Sequence, residues 1–186
     1  FDILKSLADY VTVGVDHAEA YSTVKEINDE MELKNTKIID SLRYAKTIQD
    51  AILTDSDKFQ KAFREHFIFY RAKDVVSGDF YWLAEKNGKV LIACVDCTGH
   101  GVPGAFMSMV GHELLNEIVV QRGVTDPALV LTLLHSGVRK ALQQEVGKND
   151  DGMDLSMCAI EWTEEGLVEV TFAGAKSSIF YTQYQE

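Results

Sequence analysis

The stretch that leaves this chain the fewest options is Asn87-Gly88, set between the apolar runs that begin at Phe80 and end at Val95. An Asn-Gly pair supplies the positive φ that a type I′ turn needs at both central positions, so the flanking runs are expected to fold back as an antiparallel hairpin. With Asn87 and Gly88 as the turn, Lys86 faces Lys89, and successive outward steps bring Asp79 opposite Asp96. Directly opposed residues have Cβ atoms roughly 5 Å apart, where like charges repel. Two carboxylates so placed at the end of an apolar hairpin point to a shared cation. The other reading is a bulge or longer loop that shifts the register and leaves two ordinary strand-end acids.

Both faces of the hairpin are apolar: Tyr81, Leu83, Val90, Ile92 and Cys94 on one, Phe80, Trp82, Ala84, Leu91, Ala93 and Val95 on the other. Such a pair is expected to be covered on both sides, as in a central sheet between helices and a second sheet. Cys97 to Gly104 is rich in glycine and leads into an amphipathic helix expected from about Gly104 or Ala105 to Gln121, closed by Gly123. A glycine-rich turn at a helix N-terminus presents N–H groups and positive dipole to an anion such as phosphate, although many such turns are only tight connections. No Gly-Lys-Ser/Thr follows, so it is not a Walker loop. A second helix is expected from Asp126-Pro127 to about Gln144, with His112 and His135 on these helices as surface or packing residues. Strands are expected at His66–Arg71, Leu155–Trp162, Leu167–Ala173 and Ser178–Tyr184, with Glu164-Glu165-Gly166 as a turn. Thr54-Asp55-Ser56-Asp57 reads as a turn with N-cap candidates, and Lys58–Glu65 as a short helical turn. Cys94-Val95-Asp96-Cys97 is formally C-x-x-C, yet in an extended strand its cysteines point to opposite faces. It reads as a buried Cys94 and a loop Cys97.

The first 53 residues hold no proline and one glycine, Gly14, and apolar residues recur at helical spacing from Leu4 through Val24, Ile27, Met31 and Ile38 to Ile52. A continuous helix of that length would reach roughly 80 Å, more than one small core can cover. The stripe is therefore expected to pair with a second chain as a coiled coil, with Asn35 in the seam fixing register at a cost in stability. The alternative is a helix broken near Gly14 or Asn35 and folded back on its own domain.

Composition narrows the function. A net charge of −11 argues against nucleic acid or an anionic membrane as partner. No apolar run approaches the roughly 20 residues of a membrane span, and no signal peptide opens the chain. Three cysteines, an odd number, suit a reducing cytoplasm better than a disulfide framework.

Ser77-Gly78-Asp79-Phe80-Tyr81, then Val95-Asp96-Cys97-Thr98-Gly99-His100-Gly101, then Asp151-Gly152-Met153-Asp154 before a strand, together resemble the SpoIIE-type branch of metal-dependent serine/threonine protein phosphatases. The resemblance covers about residues 45 to 186, and Ala45–Leu53 is similar to the segment that precedes the family's catalytic core, though Thr54 stands where proline is usual. It implies an α+β fold, part of an αββα sandwich preceded by the long helix. Phe1–Ala20 is similar to the closing helix of GAF sensory domains. The domain expectation is therefore a GAF-like end at 1–20, a dimeric coiled-coil linker at 21–53 and the N-terminal part of a phosphatase domain at 54–186.

The resemblance further implies hydrolysis of phosphoserine or phosphothreonine on a regulatory phosphoprotein. Two Mn²⁺ or Mg²⁺ ions bridged by a water would be held by Asp79, Asp96 and the backbone carbonyl of Cys97, and that water would attack phosphorus directly. Gly99 and Gly101 would bind phosphate, and His100 would protonate the leaving oxygen or simply stabilise its loop. The family's two later aspartate motifs are not found, and Asp151 and Asp154 are read as loop residues rather than substitutes. The chain is thus expected to be a fragment or truncated product that binds metal weakly at best. The competing function is a dimerising signal-transmission module whose phosphatase-like half binds a partner without turnover. A third is a metal-binding α/β domain of unrelated chemistry, preferred if Asp79 and Asp96 fall on opposite faces.

Overall fold

A computed structural model describes residues 1–53, 56–147 and 149–182 of the chain. They form two units, residues 1–42 and 43–186. The element order is α1 (Asp2–Leu53), α2 (Ser56–Ala62), β1 (Phe80–Lys86), β2 (Lys89–Cys97), α3 (Gly101–Leu115), a π-helical turn (Asn116–Gln121), α4 (Pro127–Ala141), β3 (Met153–Trp162) and β4 (Val168–Ala175). The fold class is α+β. The Thr54-Asp55 half of the expected turn lies outside the described residues.

The first unit is helical from Asp2 onward. Leu4, Leu7, Val11, Val15, Val24, Ile27, Met31 and Ile38, three to nine residues apart, are all exposed. Its polar surface carries local pairs such as Lys34 to Glu30, 2.7 Å apart four residues along the helix.

In the second unit the strands make one antiparallel sheet in the order β1-β2-β3-β4. The hairpin register is the one the turn dictates: Asn87 and Gly88 have φ of 54° and 77°, and the ladder runs from Lys86↔Lys89 to Phe80↔Val95. Period-two alternation then sends Phe80, Trp82, Ala84, Leu91, Ala93, Val95, Leu155, Met157 and Ala159 to one face. There they pack with Met107, Leu115, Ile118, Val119, Val130, Leu134 and Val138 from the helices and with Leu53. A smaller cluster of Phe59, Leu83 and Val90 lies on the opposite face, capped from α2.

The helices are placed by their ends. Asp126 accepts from the Leu129 N–H at 2.8 Å and Pro127 opens α4. At the π-helical turn, Asn116 accepts from the Trp82 indole at 2.9 Å, and Lys86 donates to the Val120 carbonyl at 2.7 Å. The hairpin is thereby tied to the carbonyl end of the α3 segment, where a cation is favoured by the dipole.

Four expectations are corrected. His66–Arg71 is not a strand: Phe67 and Phe69 are almost fully exposed, and no ladder partner for the segment exists among the described residues. Ser178–Thr182 is not a strand either, and the remaining residues of that expectation, 183–184, lie outside the described ones. The helix expected from Gly104 begins at Gly101, because Pro103 falls in the first turn, where its missing N–H costs nothing. The burial of the cysteines is reversed: Cys97 ends β2 on the helix-covered face and is buried, while Cys94 is exposed on the other.

Candidate metal and phosphate site

Asp79 lies one step beyond the last ladder pair of β1 and β2, opposite Asp96. On its other side Asp96 pairs with Asp154 of β3, and Lys176, one step past Leu155↔Ala175, puts its ammonium 3.7 Å from the Asp154 carboxylate. One row across the sheet thus reads Asp79, Asp96, Asp154, Lys176. Asp154 is a strand residue facing Asp96, not part of a loop, and its charge is offset by Lys176. Asp151 stays in the loop, where Asn149 donates to its carboxylate at 2.7 Å.

Backbone proximity brings the rest together. A Cβ on Gly104 would sit 2.6 Å from the Gly99 carbonyl oxygen and 3.0 Å from the Gly78 Cα; one on Gly78 would sit 2.9 Å from that same oxygen. Only bare glycines let the segment carrying Asp79, the turn after Asp96 and the first turn of α3 cross so closely. Thr98 secures the turn: its N–H donates to the Gly152 carbonyl at 2.9 Å and its hydroxyl accepts from the Gly152 N–H at 3.0 Å. The Asp-Gly-Met-Asp motif therefore serves here as an anchor for the β2–α3 turn.

Asp79 is held from behind. Its N–H donates to the Ser77 hydroxyl at 3.1 Å, and Tyr70 donates to its carbonyl at 3.1 Å. Ser77 is in turn gripped by buried Gln49 near the end of α1, which donates to its carbonyl at 2.7 Å and accepts from its N–H at 3.0 Å. Gln49 also donates to Ser108 of α3 at 2.9 Å. Gln49→Leu keeps the volume but leaves the buried Ser77 N–H without an acceptor, which should lower the unfolding free energy by about 1–3 kcal/mol in urea titrations. Helical spacing puts Gln49 on the apolar stripe of α1, three residues before Ile52, but does not show that its partner is Ser77.

The electrostatics suit a cation. Asp79 is raised above the ordinary carboxylate range, first by desolvation and then by the Asp96 charge and a hydrogen bond between the two carboxyl groups. Burial, helped by the negative charge of Asp79 and Asp96, pushes the Cys97 thiol up to about 12. The Cys97 side chain is buried on the helix-covered face, away from the aspartates, so the donor it presents to an ion is its carbonyl oxygen, which a Cβ on Gly78 would meet at 3.4 Å. Hard oxygen donors of this kind fit Mn²⁺ or Mg²⁺. Among the described residues no group of three or more His, Cys, Asp or Glu side chains converges for a metal.

Asp79, Asp96, Gly99, His100 and Gly101 line one cavity of about 190 Å³. Gly99 and Gly101 both have positive φ, and Gly101 is the first residue of α3. His100 precedes the helix without capping it through its side chain, and its Nδ1 lies 2.8 Å from the Asp74 carboxylate. A larger cavity of about 760 Å³, lined by Phe59, Phe69, Tyr81 and Ile92 among others, opens onto the same two aspartates from the other sheet face. His112 packs edge-on against Phe80 and is held below its usual range by desolvation; His135 is exposed. Neither lines these cavities.

Fold and site together define a helix-backed antiparallel α+β domain with a carboxylate pair beside a glycine-lined helix start. A family model for stage II sporulation protein E (SpoIIE) matches residues 86–186. Among solved structures, the SiaA-PP2C domain of Pseudomonas aeruginosa is 36% identical with a TM-score of 0.65, the match covering 77% of this chain. The chain spans 55% of the length of that domain's chain. No curated protein matches. The chain belongs to the SpoIIE family of phosphatase domains.

Proposed function

We propose that the chain takes part in metal-dependent hydrolysis of phosphoserine or phosphothreonine on a regulatory protein, governed by an upstream sensor through α1. The observation that carries this reading is the facing pair Asp79 and Asp96, lining one cavity with the start of α3. Asp79, Asp96 and the Cys97 carbonyl would hold two divalent cations, Mn²⁺ or Mg²⁺. The chemistry such ions supply is neutralisation of phosphate charge and acidification of water. The N–H groups around Gly99 and Gly101 would orient the phosphate, and His100 would protonate the leaving serine or threonine oxygen. Unpaired cysteines agree with a cytoplasmic setting; no described helix is long and apolar enough to cross a membrane.

In this reading residues 1–20 close a GAF-like sensor, 21–53 form a coiled-coil linker and 54–186 belong to the phosphatase domain. The exposed apolar stripe of α1 supports a homodimer, since a patch of that extent is seldom left to water. Light scattering at several concentrations should give twice the chain mass. Asn35→Leu should raise the melting temperature, because it replaces a polar seam residue by an apolar one.

Phosphate release from a phosphoserine peptide, measured with Mn²⁺ and with EDTA, tests the activity on this chain and on one extended past Glu186. Release that needs Mn²⁺ supports the proposal; none from either chain contradicts it. The two-carboxylate donor set favours a second reading, a dimerising module that binds its partner without turnover. That module would bind a phosphopeptide yet release no phosphate.

A further inference from the structure

We infer that Asp74 is a positioning residue that orients His100 for proton transfer to the leaving oxygen; the inference rests on the phosphatase reading above. Asp74 lies in the irregular segment between Arg71 and β1, far in sequence from His100. The crossing of Gly78, Gly99 and Gly104 brings the two segments side by side. The Asp74 Oδ2 then lies 2.8 Å from the His100 Nδ1, and a Cβ on Gly101 would come within 3.4 Å of that same oxygen. The carboxylate is thus seated against the bare Cα of Gly101 while it holds the ring. Asp74 and His100 line the cavity that also holds Asp79 and Asp96.

A carboxylate accepts, so the His100 Nδ1 carries the hydrogen of this contact and Nε2 is left for chemistry. The His100 side chain makes no capping hydrogen bond to α3 that would compete with this one. In the reaction a water oxygen forms a new bond to phosphorus as the bond from phosphorus to the serine or threonine oxygen breaks. The electron pair of the broken bond stays on that oxygen, which takes a proton from Nε2 of the imidazolium. The proton lost by water goes to solvent, and solvent later reprotonates the ring. Asp74 accepts the Nδ1 hydrogen throughout and so fixes the ring's orientation, as a carboxylate does behind other catalytic histidines. A carboxylate that merely tied two loops together would act on all substrates alike.

The test compares two substrates in Mn²⁺: a phosphoserine peptide, whose alkoxide leaving group needs a proton, and 4-nitrophenyl phosphate, whose leaving group does not. Asp74→Asn should lose about ten- to a hundred-fold more kcat on the peptide than on the aryl ester, and Asp74→Glu should recover part of the difference. Independently of turnover, ¹⁵N NMR of the neutral His100 ring should show the hydrogen on Nδ1 in the metal-free chain. In Asp74→Asn it should move largely to Nε2. Equal losses on both substrates, no loss on either, or the same ring tautomer in both chains would overturn the inference and leave the phosphatase reading standing. Absence of metal-dependent release by the unsubstituted chain from both substrates would remove that reading and the inference with it.

Discussion

Asp96→Ala is expected to reduce Mn²⁺-dependent phosphate release by about a thousand-fold or more, and Asp79→Ala by a similar factor. Metal-assisted charge stabilisation supplies several kcal/mol, at about tenfold in rate per 1.4 kcal/mol. Either substitution removes one of two facing carboxylates, and the next acid in the row, Asp154, has the Lys176 ammonium 3.7 Å from it. Stability should move the opposite way. Without metal, burial and the Asp96 charge raise the folded-state pKa of Asp79, so the folded chain binds more protons than the unfolded one across that window. The contribution of Asp79 is fully present below the ordinary carboxylate pKa and is lost as pH rises through its raised value. In EDTA the melting temperature should therefore fall across that range, and Asp79→Asn should remove this fall and raise the neutral-pH melting temperature. A variant that is more stable without metal and inactive with it is the signature of a charge pair kept for binding. Equal melting curves for both chains in EDTA would argue against that.

The second large effect concerns the backbone crossing that assembles the site. Gly104→Ala should cost about 1–3 kcal/mol in urea unfolding, the range for forcing an extra methyl into packed structure. Its Cβ would meet the Gly99 carbonyl oxygen at 2.6 Å, and a backbone atom cannot swing aside as a flexible side chain can. Gly152→Ala is the control, since a Cβ there meets nothing within 4 Å, and it should change stability by less than about 0.5 kcal/mol. Gly104→Ala should also lower metal-dependent release, because α3 and the turn after Asp96 must separate to admit the methyl. Unchanged stability would mean that the crossing relaxes at little cost.

Much of the fold was legible because local signals agreed with one another. The Asn87-Gly88 turn and the two-residue alternation beside it fix one register, and that register carries Asp79 to Asp96. Asp126-Pro127 marks the start of α4 for the same kind of reason, as cap and φ constraint coincide. Failures came where a residue's preference is local but its fate is set at long range. Phe67 and Phe69 favour an extended chain, yet a strand needs a neighbouring backbone, and no composition says whether one is there. Alternation puts Cys94 and Cys97 on opposite faces, as found, but does not say which face the helices cover. Asp74, Lys176 and Gln49 reach the site across 26, 22 and 28 residues respectively, through contacts to His100, Asp154 and Ser77. From sequence the carboxylate and the lysine read as solvated side chains and Gln49 as a seam residue of the long helix, and only the packed backbone reveals their partners.

The most direct test of the paired-carboxylate account is anomalous diffraction from crystals of the chain soaked in Mn²⁺. A peak lying between the side chains of Asp79 and Asp96, absent in Asp96→Asn, is the expected result. Full manganese occupancy elsewhere on the molecule with nothing between those two side chains would contradict it.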